Sequence, residues 1–319
     1  MRRSSSPPPR PRPTLLLGGL TALLLLAGCG VGSGSDGDTP EPAPSAGSSA
    51  SGDPSGDAGA GSGSGSGSGV ASYVALGDSY TSAPFVPQTD VAGGCFRSTG
   101  NYPSQVAEAL GAELTDVSCA GADTSDVTAP QIDGVPPQRA AVTRDADLVT
   151  VALGGNDGGV FSTLVGQCGR PGVAATDCAQ ELSPAVESRL RQRLQRTGDD
   201  LVRVLRQTAR RAPDARVLAV GYPTIVAADG SCDALPLPAA SQAAAARLNL
   251  DLNATVRSAA RRAGATYVDV AAATEGHDIC AEDPWVNGAV TDQQRALAFH
   301  PFAAEQEAVA EAVLAVVRR

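Results

Sequence analysis

The chain has 319 residues, a formal net charge of −10, and 24 basic residues, all of which are arginine. An acidic chain without a basic cluster is a poor candidate for binding nucleic acid, so no nucleic-acid partner is expected. Only 3% of the residues are aromatic, and alanine, valine and leucine must therefore fill the core. Residues 70–319 have the length of one α/β domain.

Residues 1–28 have the composition of an export signal. Arginines at positions 2, 3, 10 and 12 precede an apolar run over residues 14–27, which is shorter than the ~20 residues of a membrane-spanning helix. A short membrane anchor is the alternative. The quartet Leu26-Ala27-Gly28-Cys29 resembles the lipobox of bacterial lipoproteins. That resemblance implies cleavage before Cys29, attachment of a diacylglycerol to its thiol, and anchoring to the outer face of the bacterial cell membrane, with later release left open.

Residues 29–69 consist mainly of Gly, Ser, Asp, Pro and Ala, and they contain too few apolar side chains to form a core. A flexible coil of this length and composition has a mean reach of roughly 35 Å. We interpret the segment as a tether that holds the domain of residues 70–319 away from a membrane surface. A disordered tail without a role would have the same composition.

Segments that predict strands alternate with segments that predict helices. The strands are Val70–Leu76, Ala112–Ser118, Asp147–Gly155, Arg216–Pro223 and Thr266–Ala272. The helices begin at Ser183-Pro184, within Leu237–Gly264, and after Pro301. Serine caps helices and proline fits their first turn. This alternation predicts a parallel sheet covered by helices on both faces, with ligands bound at the carboxyl ends of its strands.

Ser79 follows the first predicted strand, within the sequence Gly-Asp-Ser-Tyr of residues 77–80. At a junction of strand and helix its hydroxyl would be exposed at the edge of the sheet, where a helix start favours a developing anion. A serine hydroxyl becomes a good nucleophile only when a base takes its proton. A serine at this place could equally serve as a helix cap, and these four residues do not decide between the two roles.

Three further blocks follow in chain order: Cys-Ala-Gly-Ala with Gly121, Gly-Gly-Asn-Asp with Asn156, and Phe-His-Pro with His300. Together with Ser79 they resemble the SGNH hydrolases, also called the GDSL lipase/esterase family, over residues 70–319. The resemblance implies a three-layer α/β/α sandwich with a mostly parallel five-stranded, flavodoxin-like sheet. It also implies a serine esterase or lipase that hydrolyses acyl esters without a metal or another cofactor.

The resemblance further implies a role for each block. Ser79 would form an acyl-enzyme, and His300 would act as its general base. The backbone N–H groups of Ser79 and Gly121 and the side chain of Asn156 would form the oxyanion hole. His277, the second of the two histidines, is the less favoured base.

One position departs from the family. Many members carry an aspartate three residues before the histidine, whereas this chain has Leu297 there. The backbone carbonyl of Leu297 is therefore expected to accept the Nδ1–H of His300 in a Ser–His dyad. If a carboxylate orients His300 instead, the candidates are Asp283 and Asp292. Asp78 and Asp157 are expected to brace their own loops.

Cysteines lie at positions 29, 95, 119, 168, 178, 232 and 280. If Cys29 carries lipid, an even number remains, which in an exported chain indicates disulfides. The sequence alone leaves all pairings open. Zinc is disfavoured, because there is no CxxC pair and only two histidines are present. Resemblance to the actinobacterial secreted esterases and lipases of the family implies the pairs Cys95–Cys119, Cys168–Cys178 and Cys232–Cys280.

The four blocks leave two other functions open. A surface lipoprotein could keep the fold only to bind a ligand, although the intact blocks argue against this. A carbohydrate acetyl esterase of the cell envelope would carry the same four residues. Acyl-ester or lipid substrates and a monomeric state are expected, and the acyl-chain length is not determined.

Overall fold

The computed structural model describes residues 69–164, 182–229, 232–235 and 237–319. A five-stranded, entirely parallel sheet lies at its centre. In chain order the strands are β1 Ser72–Gly77, β2 Thr89–Asp90, β3 Arg97–Ser98, β4 Glu113–Asp116, β5 Leu148–Ala152, β6 Arg216–Val220 and β7 Thr266–Val268. The central sheet has the order β4-β1-β5-β6-β7, and β2 and β3 form a small antiparallel pair.

The helices are α1 Ser79–Ser82, α2 Tyr102–Leu110, α3 Val160–Leu164, α4 Pro184–Arg211, α5 Ala239–Ala263, α6 Val270–Ala273 and α7 Ala303–Val317. The side chain of Ser183 accepts a hydrogen bond from the backbone N–H of Val186, so α4 begins where the serine and proline predict. At the end of α5, Gly264 adopts a left-handed conformation with φ 78°.

Alternate residues of the buried strands pack against different helices, which makes the domain a three-layer sandwich. In β1, Val74 and Leu76 belong to an apolar cluster that contains the buried faces of α4 and α5. Tyr73 and Ala75 belong to a second cluster, which contains the buried faces of α2 and α7. The α/β/α architecture expected from the sequence is therefore confirmed.

The prediction of a strand over Thr266–Ala272 is wrong in its second half. Strand β7 ends at Val268, and α6 begins two residues later. The cause is Asp269, whose carboxylate accepts a hydrogen bond from the backbone N–H of Ala272 and so caps the helix. The other predicted strands are present and contain fewer residues than predicted, although β1 ends one residue later than expected, at Gly77.

Two of the expected disulfides, Cys95–Cys119 and Cys232–Cys280, are present. The third pair, Cys168–Cys178, lies outside the described residues, as do the expected signal of residues 1–28, Cys29, and nearly all of the tether. Within the described part of the chain, no helix has both the length and the apolar character needed to cross a membrane.

Candidate active site

Ser79 is the first residue of α1, two residues after Gly77 at the carboxyl end of β1, and it is 7% exposed. The turn before it is held tightly. The side chain of Gln138 accepts from the backbone N–H of Gly77 at 3.0 Å and donates to its carbonyl at 2.9 Å. A Cβ atom on Gly77 would lie 2.0 Å from Oγ1 of Thr81, so only glycine fits there. Asp78 caps α1 by accepting from the backbone N–H of Tyr80 at 2.9 Å.

The loops that carry Gly121 and Asn156 flank this turn, because β4 and β5 are the neighbours of β1 in the sheet. Gly121 lies in the loop after β4, is exposed, and has φ +82°, a conformation that glycine adopts without strain. Asn156 lies in the loop after β5. Its Nδ2 donates to the carbonyl of Ala122 at 2.9 Å, which ties the two loops together.

Asp157 provides a second link between these loops. Its carboxylate accepts from the backbone N–H of Thr124 at 3.1 Å and also from the Thr124 hydroxyl. Burial raises the pKa of Asp157, and these hydrogen bonds oppose that shift. The aspartate was expected to brace its own loop, and its side chain instead connects that loop to the loop that follows β4.

Tyr222, which follows β6, is a further residue of the site that none of the sequence motifs indicates. Its hydroxyl donates to Oδ2 of Asp78 at 2.6 Å and accepts from the backbone N–H of Gly155 at 2.9 Å. Tyr222 and Asp78 are both fully buried. Burial raises the pKa of Asp78 to about 7, while the bonds from Tyr222 and Tyr80 oppose the rise. No short motif surrounds Tyr222, so the sequence offers little signal for this contact.

His300 precedes α7 and lies against the turn that carries Ser79. The Tyr80 ring stacks on the imidazole, with centroids 5.5 Å apart and planes 29° apart. The Tyr80 hydroxyl donates to the carbonyl of Phe299 at 2.7 Å, and the backbone N–H of Leu297 donates to the carbonyl of Pro84 at 3.3 Å. Residues that follow Ser79 are therefore in direct contact with His300 and with residues that precede it.

The carbonyl expected to face Nδ1 of His300 was that of Leu297, and the structure corrects this to Ala298, whose oxygen is 2.7 Å from Nδ1. The Leu297 carbonyl instead accepts from the His300 backbone N–H at 3.1 Å and from Nδ2 of Asn287 at 3.1 Å. Phe299 has φ +61°, which turns the chain sharply. The imidazole ring of His300 therefore points back toward the carbonyl of Ala298, two residues earlier. Burial lowers the pKa of His300, which favours its neutral form.

Asp283 and Asp292, the two acids that could have oriented His300, make other contacts. Oδ2 of Asp283 accepts from Nε1 of Trp285 at 3.1 Å and lies 3.5 Å from Nδ1 of His277. The His277 ring stacks on Trp285, with centroids 3.5 Å apart. Oδ1 of Asp292 accepts from the backbone N–H of Gln294 at 2.9 Å. Across the described ranges, no three or more His, Cys, Asp or Glu side chains are grouped in a way that could hold a metal ion.

A disulfide borders the loop that contains Gly121. Cys119 is bonded to Cys95 and donates its backbone N–H to the carbonyl of Gly77 at 3.0 Å. The backbone N–H of Ala120 donates to the carbonyl of Cys95 at 3.0 Å. The disulfide therefore joins the Gly121 loop to the segment around Cys95, and the backbone hydrogen bond of Cys119 joins that loop to the end of β1.

A serine at the end of a central parallel strand, with a histidine packed against its turn and two donor-bearing loops at its sides, is an arrangement that fits a serine ester hydrolase. Comparison with known proteins identifies the family. The chain belongs to the GDSL-like lipase/acylhydrolase family, whose family model matches residues 75–308.

Individual relatives agree with this assignment. Lipase 2 of Streptomyces coelicolor is 41% identical over 216 residues, which cover 65% of this chain and 72% of that protein. The crystal structures of phospholipase A1 from Streptomyces albidoflavus NA297 and of an extracellular lipase from Streptomyces rimosus each match with a TM-score of 0.65. Their identities are 29% and 30%, and each match covers 77% of this chain and 99% of the other. The protein is a lipase or esterase, and its substrates are esters or lipids.

Proposed function

We propose that the protein hydrolyses carboxylic esters through an acyl-enzyme on Ser79, with His300 as the general base. The Ser79 hydroxyl attacks the ester carbonyl while Nε2 of His300 takes its proton. Collapse of the tetrahedral intermediate expels the alcohol, which receives that proton. Water then attacks the acyl-enzyme, again with His300 as base, and releases the acid.

The oxyanion of the intermediate would be bound by the backbone N–H groups of Ser79 and Gly121 and by Nδ2 of Asn156. An amide NH₂ group has two hydrogens. The bond from Asn156 to the Ala122 carbonyl uses one of them and leaves the other for the oxyanion. Removing one such donor lowers kcat by roughly 10²–10³-fold in other enzymes.

We propose that His300 works in a dyad, with the carbonyl of Ala298 in the role that a carboxylate has in a triad. A carbonyl that accepts Nδ1–H leaves Nε2 unprotonated and able to take the proton of Ser79. The lowered pKa of His300 supports this role, because the neutral imidazole is the form that acts as a base. The separate interactions of Asp283 and Asp292 also support it.

One observation carries the proposal: His300 packs on Tyr80, the residue directly after Ser79, and its Nδ1 is held by a backbone carbonyl. The test is hydrolysis of p-nitrophenyl esters from acetate to palmitate by the wild type, Ser79→Ala and His300→Ala. We expect both variants to lose turnover and a fluorophosphonate reagent to label Ser79. His277→Ala, the matched control, should remain active. Full activity in Ser79→Ala would refute the proposal.

The same ester series identifies the acyl part of the substrate. We propose lipid esters, since the relatives named above are called lipases and a phospholipase A1. Rates that rise from acetate toward palmitate would support this substrate class. Rates confined to acetate would favour the sugar acetyl esterase instead.

We also propose that the protein is exported and anchored through a lipid on Cys29, and that it is a monomer. The support is the sequence from Leu26 to Cys29 at the end of the apolar run, followed by the tether of residues 29–69. Mass spectrometry of the protein from its native host should find a diacylglycerol on an N-terminal Cys29. Cys29→Ser should prevent its attachment. An unmodified Cys29, or cleavage elsewhere, would contradict the anchor.

A further inference from the structure

Tyr222 is held rigidly at the carboxyl end of β6. Its backbone N–H donates to Oδ1 of Asn253 at 2.8 Å, and its carbonyl accepts from Nδ2 of the same side chain at 3.0 Å. Asn253 belongs to α5 and is itself buried. Because both polar groups of the Tyr222 backbone are bound to one helix side chain, the origin of the tyrosine side chain is fixed relative to the sheet.

The ring of Tyr222 is fixed as well. It packs edge-on against Tyr80, with centroids 5.5 Å apart, and against Phe161, with centroids 5.3 Å apart. The Phe161 ring also covers Gly155, where an added Cβ would lie 1.9 Å from a ring carbon. The tyrosine hydroxyl therefore occupies one defined point between the turn of Ser79 and the loop of Asn156.

At that point the hydroxyl binds the residue before each of two proposed site residues. Asp78, which accepts from it, precedes Ser79. Gly155, whose N–H donates to it, precedes Asn156. A single oxygen atom thus joins the turn that carries the nucleophile to the loop that carries an oxyanion donor.

We infer that Tyr222 is a positioning residue for ester hydrolysis, and that its hydroxyl fixes the distance between Ser79 and the side chain of Asn156. This inference rests on the roles proposed above for those two residues. Tyr222 is fully buried and does not reach the surface on which a substrate would bind. Its effect is therefore exerted through Asp78 and Gly155.

Tyr222→Phe removes only the oxygen and keeps the packed ring. It leaves the N–H of Gly155 and Oδ2 of Asp78 buried without this partner, and both groups must shift to find another. Small displacements of catalytic groups lower the rate of the chemical step strongly. We expect kcat to fall about 10- to 100-fold while KM changes less than about 2-fold.

Tyr73→Phe is the matched control. Tyr73 on β1 is fully buried like Tyr222, and its hydroxyl lies 2.9 Å from Oγ1 of Thr150, in a hydrogen bond that does not involve Asp78, Gly155 or Asn253. Its variant should keep wild-type kcat. Thermal melting of both variants shows whether they are folded under the conditions of the assay.

A double-mutant cycle separates positioning from a general loss of stability. If Tyr222 acts by placing Asn156, the effect of Tyr222→Phe on kcat should shrink at least several-fold in the Asn156→Ala background. Equal effects in both backgrounds would overturn the inference, and so would a folded Tyr222→Phe variant with wild-type kcat. If Tyr222→Phe does not fold, Asp78→Asn is the second variant. It changes the carboxylate that accepts the tyrosine hydroxyl, and wild-type kcat there would also overturn the inference.

The proposal that Ser79 forms an acyl-enzyme can be refuted independently of the positioning role of Tyr222. Ser79→Ala with full activity would refute the role of Ser79 itself. An inactive Ser79→Ala together with an unaffected Tyr222→Phe would refute only the positioning role.

Discussion

Replacing Glu305 by glutamine should change how the stability of the protein depends on pH. Glu305 lies in the first turn of α7 and is 1% exposed, and its Oε2 accepts from Nε2 of Gln306 at 2.6 Å. Burial raises the pKa of the Glu305 carboxyl to about 8. Glutamine keeps an oxygen for Gln306 and cannot ionise, so the substitution removes the titration and little else.

The direction of the effect follows from proton binding. A carboxyl with a raised pKa binds its proton more tightly in the folded than in the unfolded state. The stabilisation that comes from protonated Glu305 is fully present below the ordinary pKa of a glutamate. It is lost progressively as the pH rises from that value toward about 8. Over that window the wild type loses about 1.4 kcal/mol per pH unit from this group. For a domain of this size 1 kcal/mol corresponds to roughly 2–4 °C in Tm.

The assay is thermal melting of the wild type and Glu305→Gln from pH 5 to pH 8. The Tm of the variant relative to the wild type should rise with pH, by roughly 4–8 °C between pH 6 and pH 7.5. Glu307→Gln is the matched control, because Glu307 is exposed on the same helix, and its curve should run parallel to that of the wild type. Parallel curves for Glu305→Gln and the wild type would refute the reasoning.

Three further predictions concern the site. Asp283→Ala and Asp292→Ala should each keep most of kcat if His300 works in a dyad, whereas a fall near the ~10⁴-fold typical of a neutralised triad aspartate, in a folded variant, would reveal a triad. Gly155→Ala should force Phe161 to move, since the added Cβ lies 1.9 Å from its ring, and should lower the free energy of unfolding by about 1–3 kcal/mol in a urea titration; an unchanged midpoint would contradict this. A Cys95→Ser/Cys119→Ser double variant opens a cross-link with a sequence separation of 24 and should lower the free energy of unfolding by roughly 3 kcal/mol, while a midpoint equal to that of the wild type would show that the disulfide does not stabilise the fold.

The sequence by itself determined the features that depend on neighbouring residues. Apolar segments such as Val70–Leu76 predict strands because side chains of a buried strand are apolar on both faces. Ser183 and Pro184 predict the start of α4 because capping involves residues within one turn. The four motif blocks around Ser79, Gly121, Asn156 and His300 gave the family in the same way, since each block is a short stretch of chain.

Only the tertiary structure decided which distant groups meet. Tyr222 binds Asp78 across a sequence separation of 144, and no local pattern marks a tyrosine for that contact. Glu305 has an ionisable side chain of the kind usually found at the surface, yet the packing of α7 buries it. The carbonyl that faces His300 is that of Ala298 rather than Leu297, because the turn at Phe299 sets the direction of the ring. Hydrogen-bond partners and burial depend on how strands and helices are placed in space, and short-range sequence patterns do not contain that placement.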